Sequence, residues 1–156
     1  MKKMLYLFLI VPLVFSSCKK EEGCVDSLAT NYNADAEEDD GSCTYSLVGT
    51  WNMTAFIAGG VDAFNVSQEP HMTNGSLNIN SSLAYTLTVS NSFNYTETNT
   101  GTWAQNGNTF AMTDSDSGDI ESFTIDELTG SKFEISGSMD IEDNGQLISV
   151  EIKFNK

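Results

Sequence analysis

Three cysteines (Cys18, Cys24 and Cys43) and one histidine (His71) are the residues best suited to covalent, redox or proton-transfer chemistry in this 156-residue chain. His71 has no second imidazole or neighbouring cysteine to complete a zinc site, so it reads as a surface residue. No Gly-x-Ser-x-Gly nucleophile turn occurs. With no arginine, the bidentate clamps for phosphate and carboxylate are also missing. These residues point away from an enzyme; His71 buried within hydrogen-bond reach of a serine and a carboxylate would revive that idea. Twenty-two acidic residues against seven lysines give a formal charge of -15. Such a charge repels nucleic-acid phosphates and anionic lipid surfaces, so no nucleic-acid partner is expected.

Cys18 stands after Lys2, Lys3, an apolar run from Met4 to Phe15, and Ser16-Ser17, the order of a secretion signal. The apolar run has twelve residues, too few for a spanning helix, which needs about 20. Two small residues before a cysteine resemble the lipobox of bacterial lipoproteins, although Phe15 stands where leucine is usual. The resemblance implies removal of residues 1–17 as a signal peptide and acylation of Cys18, with palmitate as an expected chain. The following Lys19-Lys20-Glu21-Glu22 is similar to the charged tether of outer-membrane lipoproteins. The expected location is therefore the outer membrane, lipid-anchored, on its periplasmic face or at the cell surface. Cleavage would leave five lysines against 22 acids, so acyl chains and not surface charge must hold the protein there.

Cys24 and Cys43 then form an even pair in an oxidising compartment and are expected to be bonded. Closing their 19-position loop is worth about 3 kcal/mol in the chain-entropy picture. The segment resembles a short module of Gram-negative secreted and surface proteins that ends Asp-Asp-Gly-Ser-Cys, here Asp39 to Cys43. Asp26, Asp35, Asp39 and Asp40, with Asn31 and Asn33, supply the oxygen ligands a calcium ion needs. The same residue types make Asx-turns without a metal. A disulfide-stapled spacer over residues 18–45 is the favoured reading, calcium is its alternative, and no other cofactor is expected.

The elements from residue 46 onward must be strands. Apolar residues alternate with polar ones in short runs: Tyr85, Leu87, Val89; Phe110, Met112; Phe123, Ile125; Phe133, Ile135; and Ile148, Val150, Ile152, Phe154. Period-2 alternation signals strands with one buried face. Turn-forming sequences separate them, among them Asn106-Gly107-Asn108, Asp116-Ser117-Gly118 and Asp143-Asn144-Gly145. The acidic stretch Asp114 to Asp119 reads as one such hairpin turn. Strand starts near residues 48, 76, 84, 94, 108, 120, 131 and 146, with Val61 to Val66 as an optional extra, predict an all-β, antiparallel up-and-down barrel of about eight strands.

Leu47-Val48-Gly49-Thr50-Trp51 resembles the Gly-x-Trp signature of lipocalins. With Gly101-Thr102-Trp103, Asn106 to Phe110 and Phe123 to Leu128, residues 46–156 look like small bacterial lipocalin-like domains that follow a lipoprotein signal. The resemblance implies that Trp51 packs across a closed barrel end where Gly49 lets the chain turn. Lipocalins often lay a late-strand arginine over that tryptophan; this chain has no arginine, and Lys153 is a substitute on a cation-π basis, but its alternation with Ile152 and Phe154 points it outward.

Eight strands enclose either a packed interior or room for one small molecule. Tyr85, Tyr95, Phe110, Phe123 and Phe133 are the ligand-lining candidates, with Phe93, Trp103 and Phe154 also expected inward. The loop Ala58 to Gly75 is a candidate lid. The expected function is binding or carriage of a small hydrophobic molecule. The alternative is a non-catalytic envelope module whose packed barrel contacts other envelope proteins.

Overall fold

A computed structural model describes residues 20–141 and 145–156. The expected signal peptide, Cys18, and Asp143-Asn144 of the last expected turn lie outside the described residues. Two compact units are present, and Leu28–Thr30 belongs with the second.

In the first unit, β1 (Glu22–Gly23) and β2 (Glu38–Asp39) pair in parallel. Cys24 and Cys43 form the expected disulfide, with Cα atoms 4.8 Å apart. Backbone bonds from Asn33 N to Cys24 O (2.9 Å) and Glu37 N to Glu21 O (2.8 Å) hold the loop. With only Gly23 and Cys24 buried among the described residues of this unit, apolar packing contributes little there and the crosslink carries more of the ordering.

The second unit is built from β3 (Gly49–Ala58), β4 (Val61–Asp62), β5 (Met72–Ile79), β6 (Ala84–Asn91), β7 (Thr96–Asn106), β8 (Thr109–Asp114), β9 (Ile120–Leu128), β10 (Lys132–Met139) and β11 (Ile148–Asn155). Each long strand pairs antiparallel with the next, and β11 returns to β3 from Val150 opposite Ala58 to Asn155 opposite Asn52. The result is the closed eight-stranded antiparallel barrel that the alternation predicts. Closure leaves no long edge strand unpaired; β4 only extends the β3 end opposite Ile57 and Ala58.

Alternation decides what fills the barrel. Trp51, Met53, Leu77, Ile79, Phe110, Phe123, Ile125, Phe133, Ile135, Val150, Ile152 and Phe154 face inward as one buried cluster. Among the described residues three bulges reset the alternation: an extra residue at Thr54 lets Phe56 follow Met53 inward, one at Asp126 lets Leu128 follow Ile125, and one at Thr73 puts Met72 on the face of Gly75 and Leu77. Such bulges bend a strand, as closing a small barrel requires.

Candidate functional site

The two ends of the barrel differ chemically. At the end holding the start of β3 and the finish of β11, side chains fill the interior. Trp51 is fully buried, and its indole Nε1 donates to Leu47 O at 2.7 Å. Phe133 is central: its ring centroid lies 5.5 Å from Trp51, 5.4 Å from Phe110 and 5.5 Å from Phe154. Offset and edge-on contacts of this kind add to the burial energy of each ring. Over the indole sits Lys156, its Nζ 4.2 Å from the ring centroid. Gly49, at φ +144°, lies beneath that lysine, and a Cβ there would come within 3.1 Å of Lys156 Cε. Lys153 does point outward, where it pairs with Glu151 (2.8 Å) and Glu134 (3.6 Å).

The opposite end is hollow. A cavity of about 310 Å³ lies between the 63–72 stretch and the neighbouring ends of β6 and β7, with Val66, Pro70, Met72, Val89 and Tyr95 supplying most of its apolar wall. A second cavity of about 220 Å³ has Tyr85, Leu87 and Met112 on one side and Asp114, Asp119 and Glu121 on the other. Both belong to the inward face: Val89 and Glu97, paired across β6 and β7, line the first, and Leu87 and Asn99, two residues deeper on the same strands, line the second. Same-face neighbours two residues apart on a strand are separated by about 7 Å, so the cavities adjoin. Burial, reinforced by the charges of Asp119 and Asp114, raises the Glu121 carboxyl above the ordinary glutamate range. The Tyr85 phenol is raised likewise, by burial and then by Asp114 and Glu121.

These positions redistribute the five expected ligand-lining residues. Phe110, Phe123 and Phe133 are core at 0%, 2% and 0% exposure and line neither cavity. Tyr85 walls the acidic cavity and Tyr95 the apolar one. Tyr95 nevertheless remains 62% exposed, and Phe93, expected inward, is 66% exposed. Both flank Asn94, at φ +60°, in a turn where Asn91 Oδ1 accepts the N–H of Phe93 and of Tyr95. Strand alternation does not extend into such a turn. Trp103 is half-buried, its Nε1 donating to Asn80 O at 3.1 Å.

His71 is half-buried beside the apolar cavity, with 29% of its side chain still exposed. A serine and a carboxylate do accompany it, but in the wrong order for nucleophilic catalysis. Ser92 Oγ donates to Glu69 Oε2, and the same hydroxyl accepts from the backbone N–H of His71 at 3.3 Å. His71 Nδ1 is 3.4 Å from Glu69 Oε2 without the alignment of a hydrogen bond. A nucleophilic serine must give its proton to the imidazole; here the carboxylate takes that place.

The family model for the lipocalin-like domain matches residues 47–135, more than half of the chain. This chain belongs to the lipocalin-like domain family. Among curated proteins, none matches it. Its fold is similar to that of a lipocalin-like protein from Bacteroides uniformis at 13% identity and a TM-score of 0.47, covering 70% of this chain and 97% of that one. An uncharacterized protein from Bacteroides eggerthii is similar at 13% identity and a TM-score of 0.46, covering 71% and 99%. A de novo designed fluorescence-activating β-barrel is similar at 15% identity and a TM-score of 0.45, covering 70% and 93%.

In the lipocalin-like domain, Gly49 and Trp51 lie together at the filled end, and the cation over the indole is Lys156, not Lys153. Lys156 follows Phe154 at the next period-2 position, so the alternation does carry a signal for it, which its charge and its place one residue past the end of β11 obscure. Ahead of the domain, Asp26, Asp35, Asp39 and Asp40 are not gathered round a point: among the described residues no group of three His, Cys, Asp or Glu side chains is arranged to hold a metal. Asp39 Oδ1 instead accepts Gly41 N–H at 3.2 Å and Asp40 Oδ1 accepts Ser42 N–H at 2.9 Å. Those are Asx-turns, the metal-free use of such residues.

Proposed function

We propose that this protein is an outer-membrane lipoprotein, anchored through acylated Cys18, whose lipocalin-like barrel binds or carries a small hydrophobic molecule at its open end. The observation carrying the reading is the apolar cavity of about 310 Å³, at the lower limit of the range typical of small-molecule sites. Its position supports the role, because the stretch from Ala63 to His71 provides wall and cover while the aromatic layer around Phe133 closes the floor. Binding there uses the end of the barrel that side chains leave unfilled. The packed interior around Trp51 and Phe133 favours a second reading, a non-catalytic module contacting other envelope proteins, either at the periplasmic face or at the cell surface.

Native mass spectrometry of the full chain, isolated from membranes before and after organic extraction, separates the two. The expected result is a co-purifying apolar mass that extraction removes and an apolar probe restores. A bare chain that accepts neither a fatty acid nor any other apolar probe would favour the packed, protein-contacting role.

A further inference from the structure

Resting on the reading that the open end binds a small molecule, we infer that its ligand is an amphipathic cation, with an apolar body against Val89 and Met72 and an ammonium-type group facing Asp114, Asp119 and Glu121. Two separate observations meet here. One is the division of the hollow end into adjoining cavities, an apolar one of about 310 Å³ and one of about 220 Å³ walled on one side by carboxylates. A molecule must bridge only the two-residue step from Val89 to Leu87 on β6, about 7 Å, to occupy both. The other is that, among the described residues, no lysine pairs with these carboxylates. Among the described residues, Lys20 pairs with Glu38, Lys132 with Glu127, Lys153 with Glu134 and Glu151, and Lys156 lies over Trp51 at the opposite end.

The three carboxylates are not equivalent. Asp114 Oδ1 accepts the N–H groups of Asp116 (2.8 Å) and Ser117 (2.9 Å), so part of its charge is spent in holding the β8–β9 turn. Glu121 projects inward from β9 beside Tyr85 and Met112, half-buried, and no described ion pair includes it. Its raised pKa agrees with a carboxylate held in like-charged company. An arriving ammonium group would relieve that repulsion, whereas a carboxylate-bearing ligand such as a fatty acid would add to it.

The test uses the full chain in nanodiscs of zwitterionic phosphatidylcholine, with empty nanodiscs as the blank. Three naphthalene probes of one size, 1-naphthylmethylammonium, 1-naphthalenemethanol and 1-naphthoate, are titrated by fluorescence at physiological salt. The cation should bind about tenfold more tightly than the alcohol, the ratio of one charge-assisted hydrogen bond, and naphthoate should bind least. Glu121→Gln and Asp119→Asn should each reduce the preference for cation over alcohol severalfold while leaving the alcohol's affinity unchanged. Asp126→Asn, on the exposed bulge of β9, should leave the preference intact. Equal binding of cation and alcohol would overturn the cation assignment and leave the hydrophobic site standing. Loss of preference in Asp126→Asn as large as in Glu121→Gln would overturn it too, by tracing the effect to overall charge. Failure of all three probes to bind would remove the small-molecule reading itself.

Discussion

Lys156 and Trp51 are joined by a cation-π contact of 4.2 Å at the filled end of the barrel, and Gly49 is what makes room for it. Trp51 is fixed from beneath by its hydrogen bond to Leu47 O and from the side by Phe133. Lys156 is brought over the ring by its own backbone N–H, which donates to Ser131 O at 3.0 Å. Lys156→Ala should therefore lower stability by about 0.5–1 kcal/mol, a few degrees in a thermal melt, and Lys156→Arg should retain most of it. Gly49→Ala should cost about 1–3 kcal/mol, because an alanine at φ +144° is strained.

The contact also shows where sequence reading succeeded and where it stopped. Period-2 runs placed β6, β8, β9, β10 and β11 within two residues of their observed starts, because each strand has one wet and one buried face. Alternation likewise sent Lys153 outward. It failed at Phe93, where the left-handed Asn94 takes the chain out of the strand, and it could not register the extra residues at Thr54, Thr73 and Asp126. The open-end carboxylates were illegible for another reason. Asp114 and Asp119 read as turn residues, and they do bracket the β8–β9 turn, Asp114 as the last residue of β8. Only closure of the barrel sets Glu121 of β9 beside Tyr85 of β6, strands that share no hydrogen bonds.

The disulfide should matter locally. Neither Cys24 nor Cys43 belongs to the buried cluster of the barrel, and the 19-position loop they close is worth about 3 kcal/mol. Mass analysis under non-reducing conditions should find no free thiol at either position. Reduction should expose residues 20–43 to limited proteolysis while the barrel keeps its cooperative melt. A barrel transition that collapses with reduction would contradict this.

Gly101 should tolerate no side chain. A Cβ there would stand 1.9 Å from Thr113 O and 2.9 Å from Tyr85 Cε1, so Gly101→Ala must part β7 from β8 and push the phenol into the acidic cavity. A loss of about 1–3 kcal/mol is expected from the overpacking. Gly107→Ala provides the contrast: no atom lies within 4 Å, but φ is +58°, so only the backbone cost of roughly 1 kcal/mol applies. Chemical denaturation of both variants would rank them.

Anchoring through Cys18 predicts that Cys18→Ser abolishes acylation and moves the protein from the membrane pellet to the soluble fraction. Because the acidic chain is repelled by anionic lipid, no second attachment should hold it back. Retention in the pellet after a salt wash would refute the anchor.

Glu121 should cost the protein stability at neutral pH. Burial, then Asp119 and Asp114, raise its carboxyl pKa in the folded state above the unfolded value. Over the interval between the two values the folded protein binds more protons than the unfolded chain, so stability falls as pH rises through it. Asp114 has the opposite sign: backbone N–H groups of Ser117 and Asp116 lower its pKa, and its contribution is lost as pH falls through that lowered value. The two effects therefore occupy opposite sides of the ordinary carboxylate range. Glu121→Gln should remove the upper one alone, raising the melting temperature at pH 7 by about 2–4 °C, or on the order of 0.5 kcal/mol for a half-exposed, screened group. Well below the ordinary glutamate range the variant and the parent should melt together, because the Glu121 carboxyl is then protonated in the folded and the unfolded chain alike. A carboxylate kept in place at the expense of the fold is the expected mark of a binding group. If Glu121→Gln instead lowers the melting temperature at pH 7, Glu121 has a stabilising partner in the folded barrel and is not waiting for one.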